Sequence, residues 1–378
     1  MAVRHPLALD AAAPGEAALF LAPAGLSSRV AKLPLPCRLL RLPPGTALPA
    51  ALPPGVVRLE GPGGLVLAGP ARKLAAAVPG PLGESLGRLD RPARTLRFAD
   101  GEEWNLAERT RVMGILNVTP DSFSDGGLWM DPESALRRAA EMLEEGADLL
   151  DVGGESTRPG AAPVPPDEER ARVVPVIRKL RREFPGARIS VDTRRAAVAA
   201  AAIEEGADIV NDVSALADPG MAPLAARNGC PVVLMHMRGT PDRMQDDTSY
   251  EDLLGEIALF LAERRERALA AGIAGDRILL DPGIGFGKSF AGNEEILRLL
   301  QGLLALGAPL VVGVSRKRFL GARTGVRDPA RRVAASLAAG IAAAWRGAAI
   351  LRVHDVAATR QALLVADALA PGAGGSRP

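Results

Sequence analysis

Polar residues sit at the ends of apolar runs throughout the second two-thirds of this sequence. Asn117 closes Val112–Leu116, Asp192 closes a run from Arg188, and Asn211 comes near the end of one from Asp208. Met235 with His236, Asp281, Ser315 with Lys317, and Arg352 with His354 end four more, and Glu155, Thr157 and Arg158 follow another. Short apolar runs seldom end on carboxylates, amides and cations in such number. A carboxylate beside an amide suits a heterocycle carrying several N–H donors and ring nitrogens. Arginine, histidine and a threonine hydroxyl suit an anion such as a phosphate. The bare chemistry therefore points to an anionic, nitrogen-rich substrate.

The elements that must position these groups are eight short runs: Arg111–Leu116, Asp148–Gly153, Arg188–Asp192, Asp208–Asp212, Pro231–His236, Ile278–Gly283, Leu310–Ser315 and Ala348–His354. Seven are rich in Val, Ile and Leu with little interruption, the pattern of strands buried on both faces. Segments rich in Ala, Leu and Arg separate them. The sequence Glu-Glu-Gly-Ala-Asp occurs at 144–148 and 204–208, each time leading into a strand, as one helix-to-strand turn used twice. Eight such units over about 260 residues fit a closed (β/α)₈ TIM barrel, with an open doubly wound sheet as the alternative. In a barrel the polar strand ends converge on one mouth.

Each candidate also has a plainer role. Asn117 fits a metal or phosphate ligand or a strand-end turn. Asp192 and Asn211 fit ligands or helix N-caps. Met235 fits a wall, and His236 a hydrogen-bonded structural histidine. Arg352 and His354 alternate along an extended run and so share a face. The run Asp281-Pro-Gly-Ile-Gly-Phe-Gly-Lys-Ser289 is neither a P-loop nor a dinucleotide fingerprint. A P-loop needs glycine where Pro282 stands, and the third glycine falls one residue early for the other motif. It reads as a tight loop where glycines let backbone approach a ligand, with Lys288 a loop charge in solvent and outside the site. No His/Cys cluster has zinc spacing, so a metal here would be a hard cation such as Mg²⁺ held with substrate phosphates.

The remaining bounds are broad. With 46 basic and 44 acidic residues and no basic tract, nucleic acid is not an expected partner. No apolar stretch reaches membrane-spanning length, so no membrane is expected either. Two cysteines, Cys37 and Cys230, give no disulfide framework, consistent with a reducing cytoplasm. The start of the chain lacks a clean signal-peptide pattern. At 378 residues the chain is long for one barrel. Its first hundred residues hold fifteen of the 32 prolines. Residues 1–90 are expected to form a small N-terminal α+β domain, with Val56–Leu59 and Leu65–Leu67 paired and a broken helix within Arg72–Leu89. Residues 91–107 hold a hairpin, Thr95–Phe98 with Glu103–Leu106, that plugs or flanks the barrel bottom; 108–370 are the barrel and 371–378 a disordered tail.

Taken together, Asn117-Val-Thr-Pro-Asp-Ser-Phe-Ser-Asp-Gly-Gly, Gly153-Gly-Glu-Ser-Thr-Arg-Pro-Gly160, Val191-Asp-Thr193, Asp281–Lys288, Ser315-Arg-Lys317 and Arg352-Val-His-Asp355 resemble dihydropteroate synthase, in family order over about residues 108–370. The resemblance implies a transferase of folate biosynthesis. It condenses a dihydropterin methyl diphosphate with 4-aminobenzoate, and sulfonamides mimic the aminobenzoate. By position, Asp192, Asn211, Met235, Asp281 and Lys317 would hold the pterin. Asn117, Thr157, Arg352 and His354 would hold the diphosphate, with Asn117 facing Mg²⁺. Arg158, Pro159, Phe286 and Lys317 would border the aminobenzoate, and Asp192, Asp281 and Lys317 would be catalytic. Arg318 follows Lys317 where some members carry serine, so its part in the second pocket stays open. A homodimer through the barrel is also implied. Two other readings share the pterin set: a methyltransferase serving a corrinoid, and a silent pterin-binding protein. The Ser156–Pro159 loop and Ser315-Arg-Lys317 argue against the first, and the complete phosphate set against the second.

Overall fold

The structure is a computed structural model. It describes residues 8–11, 37–41, 48–49, 51–54, 56–61, 64–69, 71–78, 84, 87–88, 92–119, 132–156 and 163–369. Thr157, Arg158, Pro159 and the tail at 371–378 lie outside the described residues.

Eight parallel strands close into a barrel: β1 Arg111–Asn117, β2 Leu149–Gly153, β3 Arg188–Asp192, β4 Ile209–Asp212, β5 Val232–Met235, β6 Ile278–Asp281, β7 Leu310–Val312 and β8 Ala348–Val353. β8 pairs with β1, which excludes the open sheet. A helix follows each strand: α1 Pro132–Glu144, α2 Pro166–Glu183, α3 Ala196–Glu204, α4 Met221–Asn228, α5 Leu253–Ala270, α6 Phe290–Leu299, α7 Val333–Trp345 and α8 Val356–Leu369. Most strand positions are buried, as expected where helices cover the outside and side chains fill the inside. β7 is shorter than its apolar run, so Ser315 lies beyond the strand rather than in it.

The repeated Glu-Glu-Gly-Ala-Asp segments do form one turn twice. Gly146 and Gly206 adopt φ of 95° and 104°, conformations that other residues rarely take. Asp148 then accepts the Val112 backbone N–H at 2.7 Å, and Asp208 accepts that of Ile189 at 2.8 Å. Each carboxylate also pairs with arginines, Arg109, Arg111 and Arg360 in one case, Arg181 and Arg188 in the other. The turn thus fixes the start of the neighbouring strand.

The hairpin Thr95–Arg97 with Glu103–Asn105 closes the opposite end of the barrel from the strand C-termini. Its Leu96, Phe98, Trp104 and Leu106 pack in one cluster with Met113, Leu149, Ile209, Val233, Leu279, Val311 and Ala349, which come from seven strands. Phe98 and Trp104 meet edge to face at 4.9 Å, and the Arg188 guanidinium lies over the Phe98 ring.

The chain divides into two compact units, and the smaller comprises residues 1–93 with 252–259 and 299–307. It holds a four-stranded antiparallel sheet ordered Ala8–Ala11, Cys37–Arg41, Gly64–Gly69, Val57–Gly61. The expected pair is present, and the first two strands, in proline-rich sequence without clear alternation, were not expected. A short helix spans Ala71–Ala77.

Phe98→Ala is expected to cost about 3–5 kcal/mol, because it empties the centre of the plug. Urea unfolding of the two proteins measures it; a loss under about 1 kcal/mol would mean the barrel interior collapses onto the gap.

Candidate active site

Strand register builds the site. Asn117 on β1 stands level with Gly153 on β2, Gly153 with Asp192 on β3, and Asp192 with Asn211 on β4. Met235 on β5 is level with Asp281 on β6. The absent side chain at Gly153 leaves an open step between Asn117 and Asp192. An added Cβ there would lie 3.6 Å from Asn117 Oδ1 and 3.5 Å from Asp192 Cβ.

Below this row lies Asp151, two residues before Gly153 on β2 and so on the same face. It is fully buried, and its Oδ2 accepts from Arg352 Nε at 2.6 Å and from Asn211 Nδ2 at 3.0 Å. Arg352 Nη2 donates to Asp192 Oδ2 at 2.7 Å. One guanidinium thus serves two carboxylates from neighbouring strands. Burial pushes Asp192 up to about 7, with Arg352 opposing and Asp151 adding. Arg352 itself is held above its ordinary value, where attraction to Asp151 and Asp192 outweighs the burial that opposes it.

These contacts leave Asp192 and Asn211 out of helix capping. Asn211 donates to Asp151, and the N-cap of the helix after β3 is Arg195, without a side-chain cap bond. The capping-type work after β4 falls to Asp212, whose carboxylate accepts from the Ser214 and Leu216 backbone N–H groups at 2.8 and 2.7 Å. Asp281 does both: Oδ1 accepts the Gly283 N–H at 2.6 Å, and the side chain lines the cavity. Burial raises its pKa.

Lys317 follows Arg316, a non-glycine residue at φ 59°, which turns the chain after β7. The Arg316 N–H donates to Ser336 Oγ at 2.9 Å and its guanidinium pairs with Asp355. Lys317 Nζ stands 4.1 Å from the centre of the Phe286 ring. Burial lowers it to about 8, with Asp281 opposing and Arg352 adding. His354 is lowered to about 3, chiefly by burial, and is neutral at physiological pH. Ser315 Oγ accepts the His354 backbone N–H at 3.2 Å and lies 3.1 Å from Nδ1. A hydroxyl proton given to Nδ1 leaves Nε2–H as a donor for an anion.

Asn117, Asp192, Asn211, Met235, Asp281, Phe286, Lys317, Arg352 and His354 all line one cavity of about 990 Å³. Arg318 also lines it, exposed at the start of the short helix Arg318–Thr324. That volume is large for one small ligand and ample for two substrates. Thr157, Arg158 and Pro159 fall outside the described residues. Glu155 accepts the Val164 N–H at 2.9 Å and pairs with Arg194 and Arg195.

Lys288 corrects an expectation. It is 2% exposed rather than solvated, with Nζ 2.9 Å from His236 Nδ1, and it lines the same cavity rather than lying outside it. The glycine-rich loop folds inward: Gly283 lies so close to the His236 carbonyl that an added Cβ would sit 1.9 Å from its oxygen. Asp151 was missed altogether, although a lone carboxylate inside Leu-Leu-Asp-Val-Gly was its signal.

The model of the pterin binding enzyme family matches residues 113–354. Dihydropteroate synthase of Neisseria meningitidis serogroup C is 48% identical over 266 residues, 69% of this chain and 93% of the relative. That of Escherichia coli K12 is 45% identical over 271 residues, 72% of this chain and 95% of the relative. The chain belongs to the dihydropteroate synthase family. Solved synthase structures agree. The Xanthomonas albilineans enzyme with 4-aminobenzoic acid is 49% identical, covers 73% of this chain and 98% of its own, and superposes with a TM-score of 0.68. The Yersinia pestis enzyme with a sulfonamide drug complex is 47% identical, over 72% and 98%, with a TM-score of 0.69. No described helix is long and apolar enough to cross a membrane.

Asp151→Ala is expected to destabilise the synthase by about 3–5 kcal/mol, since it strips a partner from a buried guanidinium and from Asn211. Chemical denaturation measures it; a change under about 1 kcal/mol would show that Asp192 alone satisfies Arg352.

Proposed function

We propose that this chain condenses (7,8-dihydropterin-6-yl)methyl diphosphate with 4-aminobenzoate to give 7,8-dihydropteroate and diphosphate. The convergence of Asn117, Asp192, Asn211, Asp281, Lys317 and Arg352 on one cavity carries the reading. A further Xanthomonas albilineans structure contains 7,8-dihydropteroate, at 47% identity and a TM-score of 0.65, and supports it.

The pterin is assigned to the deep end. Asp192, Asn211 and Asp281 match its N–H donors and ring nitrogens, Met235 gives an apolar face, and Lys317 reaches the ring edge. Asn117, Arg352 and His354, with Thr157, are assigned to the diphosphate. Mg²⁺ fits the Asn117 amide oxygen together with phosphate oxygens, although no cluster of three or more His, Cys, Asp or Glu suited to a metal occurs among the described residues. When bound, it neutralises charge on the leaving group. The methylene carbon–oxygen bond breaks with its electron pair on the diphosphate. Asp192 and Asp281 stabilise the resulting pterin methylene cation electrostatically. The aminobenzoate amine attacks that carbon and gives up one proton, so no protein nucleophile is needed. Arg158, Pro159, Phe286 and Lys317 border the second substrate. Residues 1–90 form a separate domain that supplies no catalytic group, and two copies associate through the barrel. Formation of dihydropteroate with release of diphosphate when both substrates are supplied tests the activity; no dihydropteroate from the folded protein would sink it.

Asp192 also gives a pH signature. Pterin N–H donors favour the ionised carboxylate, so binding lowers its pKa from about 7. Below that pH the free protein carries the proton and binding expels it, so affinity rises as pH climbs toward neutrality. Calorimetry near pH 6 in buffers of different ionisation enthalpy is expected to show up to about one proton released. Asp192→Asn should abolish the buffer dependence; its persistence in the variant would assign the proton elsewhere.

A further inference from the structure

Lys288 is a buried cation that the proposed chemistry leaves unused. Its side chain is among the largest fully buried ones among the described residues. Nζ lies 2.9 Å from His236 Nδ1 and donates to the His236 carbonyl at 3.1 Å and to the Phe286 carbonyl at 2.8 Å. Two of its contacts thus join the end of β5 to the loop after β6. Burial holds it well below the ordinary lysine value, and burial with the Lys288 charge keeps His236 neutral, near 2.

The loop it enters is Gly283–Gly287, where three glycines surround Ile284 and Phe286. A chain of that composition has many accessible conformations and holds one only if tied. The ties come from both sides. Asn293 Oδ1 accepts the Gly285 N–H at 2.6 Å. Gln245 Nε2 donates to the Gly285 carbonyl at 3.1 Å, and Tyr250 OH to the Gly287 carbonyl at 2.7 Å. Lys288 is the internal tie, and it grips the carbonyl of Phe286 itself. The Phe286 ring in turn faces Lys317 Nζ at 4.1 Å. Leaving a buried amine without its hydrogen-bond partners is costly, so a lysine there resists movement of the carbonyl it holds.

We propose that Lys288 is a positioning residue for the second substrate: by holding the Phe286 backbone against β5 it seats the ring, and through the ring Lys317, at the aminobenzoate pocket. This rests on the synthase reading above. The pterin end meets this loop only at its first residue, where Asp281 Oδ1 accepts the Gly283 N–H, and Asp192 and Asn211 stand on β3 and β4, so the pterin end should feel the change less than the aminobenzoate end.

Steady-state kinetics of the full chain, varying each substrate in turn, test it. Lys288→Met keeps the length and removes the donors. It is expected to raise the aminobenzoate KM about tenfold or more, and the pterin diphosphate KM by a factor at least about threefold smaller. Tyr250→Phe removes one outer tie without disturbing the interior and is expected to give the same selective rise, about threefold. If Lys288→Met does not fold, Lys288→Gln, whose amide keeps a donor nitrogen, replaces it, with a rise between the other two. Equal rises in both KM values, or an unchanged aminobenzoate KM in folded variants, would overturn the positioning role. Failure of the wild type to turn over would instead sink the synthase reading, and this inference with it.

Discussion

The Arg352 guanidinium, shared between Asp151 and Asp192, is the constraint on which the rest of the barrel mouth depends. It comes from β8 and reaches β2 and β3. Asn211 from β4 joins through Asp151. A charge placed this deep must keep its partners, and the partners must keep their geometry. Four strands are therefore fixed against one another at the level where chemistry occurs. Burial in this arrangement raises Asp192 against the pull of Arg352, with the neighbouring Asp151 carboxylate adding to it. The same arrangement that holds the strands thus leaves Asp192 responsive to whatever enters.

The polar strand ends divide by direction. Asp192 and Asn211 point inward, while Asp212, next in the chain, points the other way and shapes a turn. The division explains why strain gathers there: Ala215 and Leu216 take positive φ beside Asp212, and Arg316 does so before Lys317. Loops leaving a barrel strand must reverse quickly, and the reversal aims the next side chain.

Much of this was legible in the sequence, for identifiable reasons. Strands covered on both faces leave continuous apolar runs, so all eight could be found. Their ends were less clear, because Val314 and Ile284 continue the apolar pattern after pairing has stopped. Asn117, Asp192, Asn211 and Asp281 showed themselves by interrupting such runs. Asp151 did not, because it sits inside one, and only the two-residue spacing from Gly153 betrays its inward face. Lys288 was misplaced because glycine-rich sequence carries no sign of which way a loop folds. The strands Ala8–Ala11 and Cys37–Arg41 escaped notice since neither shows clear alternation.

The hairpin that packs Phe98 and Trp104 into the barrel base has a consequence for traffic. It makes the cavity a blind well, entered and left by the same rim. Whatever binds beside Asp192 and Asn211, or beside Phe286, shares that one opening. A product spanning both levels must depart upward as one piece. A sealed base therefore sets every arrival against every departure at a single rim.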